Sequence, residues 1–158
     1  MAKKITETFT YAADVETVYG LITDQAFRTE SAENQQATDI DVSVSGGTVT
    51  VVRTQESDLP DFVKKLTGPT VKVKQTEAWG DAAADGSRTA DVKVSIIGQP
   101  AEMTGTATLK PAGDGTEFVL DGEVKVSIPL LGKKIEPEVA KAIVASLREE
   151  VAYGTTKI

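Results

Sequence analysis

The stretch Ile128-Pro129-Leu130-Leu131-Gly132-Lys133-Lys134-Ile135-Glu136-Pro137, with the apolar-periodic run that follows it to about Tyr153, decides how this chain folds. Within that run Ile135, Val139, Ile143, Leu147 and Val151 recur every four residues. Each such step turns a helix face by about 40°, so the stripe winds around the helix, and Ala140 and Val144 widen it. A stripe that broad suits a helix cradled by a curved sheet better than one resting on a single flat neighbour. Pro137 fits if the helix begins near Glu136, where an amide donor is unpaired anyway. Glu150 falls inside the stripe. Close to Gly154 the helix end frays, so a solvated carboxylate is expected there in preference to one projecting inward.

Almost everything upstream alternates like strand. In Ile5-Thr6-Glu7-Thr8-Phe9-Thr10-Tyr11 the residues Ile5, Phe9 and Tyr11 share one face. Asp14 then caps a helix whose Val15, Val18, Tyr19 and Ile22 fall at i, i+3, i+4 and i+7, and a second helical piece surrounds Phe27. Ile40, Val42 and Val44 alternate up to Gly46-Gly47, a pair suited to a tight hairpin, and Val49 and Val51 resume the pattern. Further strands read as 71–79, 88–97, 101–110 and 117–128. Asp121-Gly122 fits either a hairpin that splits the last strand or a bulge in one bent strand. The bulge is preferred, because splitting leaves two short strands.

Between the strands lies one short helix. Asp58 is its expected cap, Pro60 suits its first turn, and Leu59, Phe62, Val63 and Leu66 form its apolar face before Gly68-Pro69 stops it. Too short to be stable alone, it must dock on the body of the protein, as an edge cover or as a lid.

Composition narrows the chemistry. The 158 residues suit one domain spanning 1–158, and they include neither cysteine nor histidine. That removes thiol nucleophiles, thiolate metal sites, the commonest metal ligand and the commonest general base near neutrality. No metal or cofactor is implied. A net charge of −7 opposes nonspecific attraction to nucleic acid or to anionic lipid, and the pairs Lys3-Lys4, Lys64-Lys65 and Lys133-Lys134 lie far apart in sequence. No segment reads as an export signal or a membrane span, and the cytoplasm is the expected compartment.

Strand parity identifies the inward side. Val71, Val73, Gln75, Glu77 and Trp79 share one face, as do Ala90, Val92, Val94 and Ile96, and then Met103, Gly105, Ala107 and Leu109. Small Gly105 and Ala107 either let the helix approach or leave a cavity. Arg53 and Gln55 share parity with Val49 and Val51. Together with Gln75 and Glu77 they either converge on the apolar interior, where an Arg beside a Glu would pair and orient a ligand, or sit at solvated strand ends. Candidate ligand-binding residues are therefore Arg53, Gln75, Glu77, Trp79, Val92, Val94, Met103, Gly105 and Ala107 from the sheet, with Val139, Ile143 and Leu147 from the helix.

Element order, with Leu59-Pro60-Asp61-Phe62-Val63-Lys64-Lys65-Leu66 after Thr48-Val49-Thr50-Val51-Val52-Arg53, then Glu77-Ala78-Trp79 and Ile128-Pro129-Leu130-Leu131-Gly132, resembles the START-like, or birch-pollen-allergen-like, superfamily of helix-grip proteins. Within it the chain is similar to an uncharacterised actinobacterial family of unknown function. The resemblance implies an α+β fold: a curved seven-stranded antiparallel sheet wrapped around a long C-terminal helix, with two small helices after strand 1. It also implies a lipid, sterol, polyketide or other hydrophobic ligand between sheet and helix, and it supplies no catalytic motif. Noncatalytic binding or transport of such a molecule leads. The alternatives are a protein-interaction or regulatory module, with an apolar patch around Leu130-Leu131 or Phe62, and a cyclase, dehydratase or hydrolase using Arg53, Glu77, Tyr19 and Tyr153.

Overall fold

In chain order the computed structural model, which describes residues 2–158, runs β1 (Lys3–Tyr11), α1 (Val15–Ile22), α2 (Gln25–Asn34), β2 (Thr38–Ser45), β3 (Thr48–Glu56), α3 (Asp61–Thr67), β4 (Thr70–Trp79), β5 (Arg88–Ile96), β6 (Ala101–Ala112), β7 (Gly115–Val126) and α4 (Gly132–Thr155). All seven strands form one sheet, in the order β1-β7-β6-β5-β4-β3-β2, and every neighbouring pair is antiparallel. Strands 2 to 7 form a meander, and β1 closes onto β7. The long helix packs on β1, β7 and α2, so the expected helix-grip architecture is the observed one.

Local chemistry explains the ends of the elements. Asp14 Oδ1 accepts the Thr17 amide at 2.8 Å to start α1, and Asp24 Oδ2 accepts the Phe27 amide at 3.1 Å to start α2. Gly46 and Gly47 both take positive φ, 57° and 87°, as the hairpin between β2 and β3 requires. Asp58, by contrast, does not cap α3. The helix begins after Pro60 with no side-chain cap, and the local turn is held instead by the Leu59 amide donating to Ser57 Oγ at 3.3 Å.

Two further expectations are corrected. Strand β7 is neither split nor bulged at Asp121-Gly122: its register with β1 and with β6 runs through Gly122 without a shift. Gly122 lies opposite Gly105, and a Cβ on Gly105 would collide with the backbone of Asp121 and Gly122. The glycine pair thus lets two long strands approach closely where a side chain would push them apart. Helix α4 also starts earlier than Pro137 suggests. It begins at Gly132 and carries Pro137 inside, which forfeits one amide donor. Adding that turn buries Ile135 and Glu136, and Glu136 Oε2 accepts the otherwise open Val126 amide at 3.0 Å.

Candidate functional site

Between the concave face of the sheet and α4 the core is not filled. A cavity of about 730 Å³ is walled by Val51, Val73, Val92, Val94, Met103 and Ala107 on the sheet side and by Val139, Ile143 and Leu147 on the helix side. The helix shows the same gap from its own side. Ile135, Val139 and Val151 are buried at its two ends, while Ile143 and Leu147 in the middle stay partly open. A stripe with the periodicity of a packed face thus lies over empty space at its centre.

Of the residues singled out from sequence, Arg53, Gln75, Glu77, Val92, Val94, Met103, Ala107, Val139, Ile143 and Leu147 line this cavity. Trp79 and Gly105 do not. Trp79 stands behind the wall, where its indole N–H donates to Glu77 Oε1 at 3.0 Å and its ring meets Tyr19 edge-on at 6.1 Å between centroids. Gly105 is occupied by the strand contact with Gly122.

At one end of the cavity the polar residues converge, though not in the expected pairs. Glu77 pairs with Arg28 of α2, not with Arg53. The Arg28 guanidinium donates to Glu77 Oε1 at 3.0 Å and to Oε2 at 2.7 Å, a two-pronged contact with both side chains buried. Gln75 adds a bond to Oε2 at 2.7 Å, so both carboxylate oxygens accept two donors. Glu150 is not a solvated residue at a frayed end. Its carboxylate lies 3.4 Å from Arg28 and accepts the Ser31 hydroxyl at 3.0 Å, joining α4 to α2.

Electrostatics follows from this wiring. Burial pushes the Glu77 carboxyl up, but the Arg28 charge and the bonds from Arg28, Trp79 and Gln75 prevail and hold it below the ordinary carboxylate value. Burial alone would weaken the Arg28 charge, and the two glutamates more than restore it. Tyr11, packed in the same region, is pushed far up by burial and then by Glu150, so its phenol stays protonated at neutral pH. A carboxylate that is ionised and saturated with donors is a weak proton acceptor. Tyr19 and Tyr153 lie outside the cavity lining: Arg88 sits 3.9 Å above the Tyr19 ring, and Tyr153 stacks on Phe27. The acid-base set considered from sequence is therefore not assembled.

Arg53 is different. It is only 9% exposed, and its Nε donates to Gln55 Oε1 at 3.0 Å. No carboxylate lies within 4 Å of it among the described residues. Burial lowers its pKa, opposed by the more distant Glu150. It is a buried cation facing the cavity with most of its fork uncommitted.

Sequence reading missed Arg28 because the segment from Asp24 to Gln36 looked merely polar. The usable signal was the spacing of Arg28 with Ser31 and Ala32, at i+3 and i+4 on one helix face, beside an inward Glu77 that needed a partner.

Comparison with known proteins places this architecture. A family model described as protein of unknown function (DUF2505) matches residues 6–158. The chain belongs to this family. Relatives of the DUF2505 chain include uncharacterised proteins of Mycobacterium tuberculosis and Mycobacterium bovis, 34% identical over 95 residues, which is 57% of this chain and 54% of each relative. The match thus spans about half the length of these curated relatives. Among solved structures, a Thalictrum flavum norcoclaurine synthase point mutant with a transition state analogue superposes at a TM-score of 0.64, 12% identical, covering 99% of this chain and 96% of that one. The Zhui aromatase/cyclase of Streptomyces sp. R1128 gives 0.60 at 11% identity, covering 99% and 90%. A STAR-related lipid transfer protein of Xanthomonas axonopodis gives 0.56 at 16%, covering 94% and 85%. At such identities the likeness is one of fold: the DUF2505 chain has the START-like, helix-grip fold.

Proposed function

We propose that this protein binds, and carries without chemical change, a hydrophobic small molecule held between the sheet and α4. The observation that carries this reading is the cavity itself. At about 730 Å³ it falls within the range of small-molecule sites, roughly 300–1,000 Å³, and its lining mixes aliphatic side chains with polar ones, among which Arg28, Gln75, Glu77 and Glu150 form one bonded cluster. Val92, Val94, Met103 and Ala107 face Val139, Ile143 and Leu147 across it and form the apolar contact surface. Arg53, steadied by Gln55, provides the one cationic fork not committed to a glutamate and orients an oxygen of the ligand, a carbonyl or carboxylate. Glu77, held by Arg28, and Gln75, which donates to Glu77, shape the polar part of the lining.

Support also comes from the solved neighbours, whose names include a lipid transfer protein, although others are a cyclase and a synthase. A catalytic reading needs a group free to move a proton. Glu77 is ionised and fully bonded, and this favours binding over turnover.

Native mass spectrometry of the purified protein, followed by organic extraction, tests the proposal. An extractable apolar molecule at one per chain, recovered in smaller amount after Ile143→Trp narrows the cavity, is expected. Recovery of bare protein that also takes up no fatty acid or sterol from a presented mixture contradicts it.

A further inference from the structure

The end of the molecule built from α3, the β5–β6 turn and the β7–α4 loop carries an exposed apolar surface that the cavity does not use. Five large hydrophobic residues are markedly exposed among the described residues, and four of them, Phe62, Leu66, Ile97 and Leu130, belong to these three segments. The segments are neighbours. Residues of α3, of the turn and of the loop, among them Leu66, Pro100 and Ile128, together line a small crevice at this end. The Ser127 amide donates to the Pro100 carbonyl at 2.8 Å, and the Ile97 amide to the Lys72 carbonyl at 2.8 Å.

Leu130 is the most telling of the four. It is 100% exposed and takes a left-handed φ of 67°, a backbone region costly to a residue with a Cβ. The loop is nonetheless fixed, because the Leu131 and Gly132 amides both return to the Ile128 carbonyl at 3.3 and 2.8 Å. A leucine held outward in that conformation is stabilised by neither water nor the core, which points to a surface it enters.

Charge selects the partner. Two of the three lysine pairs that looked scattered in sequence are gathered by the fold: Lys64 and Lys65 lie on α3 beside Phe62 and Leu66, and Lys133 and Lys134 open α4 just after Leu130. None of the four forms an ion pair within 4 Å among the described residues. The acids on these elements do not cancel them. Glu136 is buried on the Val126 amide and Glu138 takes Lys141 at 3.8 Å, leaving Asp58 just before α3 and Asp61 in its first turn against the four lysines. A protein of net charge −7 thus presents lysines and unburied apolar side chains on the same end.

We propose that this end docks peripherally on an anionic lipid bilayer, with Leu130, Phe62, Leu66 and Ile97 entering the interface and the four lysines facing the head groups. The small crevice and the main cavity share Leu59, Ile96, Ala101 and Val139 as lining, so docking places the membrane beside the cavity wall. The inference stands on this surface alone and does not require the cavity to hold a ligand.

Sedimentation with vesicles of phosphatidylcholine, with and without phosphatidylserine, tests it on the full chain. The protein is expected to sediment with the anionic vesicles only and to be released by raised salt, since a Debye length shrinks from about 10 Å at 0.1 M to 3 Å at 1 M. Leu130→Asp, at a fully exposed position, and the pair Lys133→Glu with Lys134→Glu are each expected to lower partitioning about tenfold or more with unchanged circular dichroism and melting. Wild type that ignores anionic vesicles, or a Leu130→Asp protein that binds as well as wild type, overturns the proposal. So does a wild-type dimer that Leu130→Asp turns into a monomer, because the patch then serves a second copy. The extraction of a cavity ligand is unaffected by any of these outcomes, so the two readings fail separately.

Discussion

Arg28 and Glu77 stand 49 positions apart in sequence and meet through two hydrogen bonds, of 3.0 and 2.7 Å, inside the protein. The pair ties α2 to the C-terminal part of β4 and lines the cavity. Removing one partner strands a buried charge, so Arg28→Met is expected to cost about 3–5 kcal/mol. Replacing both, as Arg28→Met with Glu77→Leu, is expected to regain most of that loss. Urea unfolding of the two singles and the double gives the coupling directly. Additive losses would mean that the pair is not a unit.

The same pair predicts how stability depends on pH. Glu77 is held below its ordinary value in the folded state, so the unfolded chain takes up its proton first as pH falls. The contribution of Glu77 is complete above the unfolded glutamate pKa of about 4.3 and fades as pH drops through the lower folded value. Wild type should therefore lose stability in that acid window. Glu77→Gln, less stable at neutral pH, should show a flatter dependence there, measured by urea midpoints at a series of pH values.

Arg53 is expected to separate stability from binding. Its charge is buried beside Gln55 without a carboxylate neighbour, so the folded chain gains little from it. Arg53→Met is predicted to leave the urea midpoint unchanged or raise it by up to about 1–2 kcal/mol in stability, while affinity for an acidic apolar probe falls. A large loss of stability would assign Arg53 to the scaffold.

The glycine contact between β6 and β7 predicts an order of damage. A Cβ on Gly105 meets backbone, which cannot give way, whereas one on Gly122 meets the Met103 sulfur at 2.9 Å and the Thr104 carbonyl at 2.8 Å. Gly105→Ala is expected to cost about 1–3 kcal/mol and Gly122→Ala less, because the backbone contact of a Cβ at Gly122 is looser than that at Gly105 and its other neighbour, a methionine side chain, moves easily. Thermal melts of the two variants decide the order.

Much of the fold was legible because alternation and helical spacing are local signals. Strand parity put Val73, Val92 and Met103 on the inner face, and Gly46-Gly47 fixed a hairpin. What eluded sequence was long-range or contextual. Arg28 was invisible as a site residue because its partner lies on a strand two elements beyond the next hairpin. Glu150 was read as solvated since nothing in α4 itself shows that Arg28 and Ser31 await it. Gly122 was read as a bend because a glycine facing a glycine across two strands looks, in one strand, like a break. The emptiness under Ile143 and Leu147 was equally hidden, since a stripe over a cavity and a stripe over a packed core have the same period.

The central claim is that the space between the sheet and α4 receives an apolar ligand. Fluorescence titration with anilinonaphthalene sulfonate, an acidic apolar dye, compares wild type with Ile143→Trp, which narrows the space, and with Leu130→Asp, which alters only an exposed apolar residue. Saturable binding at one dye per chain is predicted, weakened in Ile143→Trp and kept in Leu130→Asp. Equal dye binding by wild type and a folded Ile143→Trp protein would contradict it.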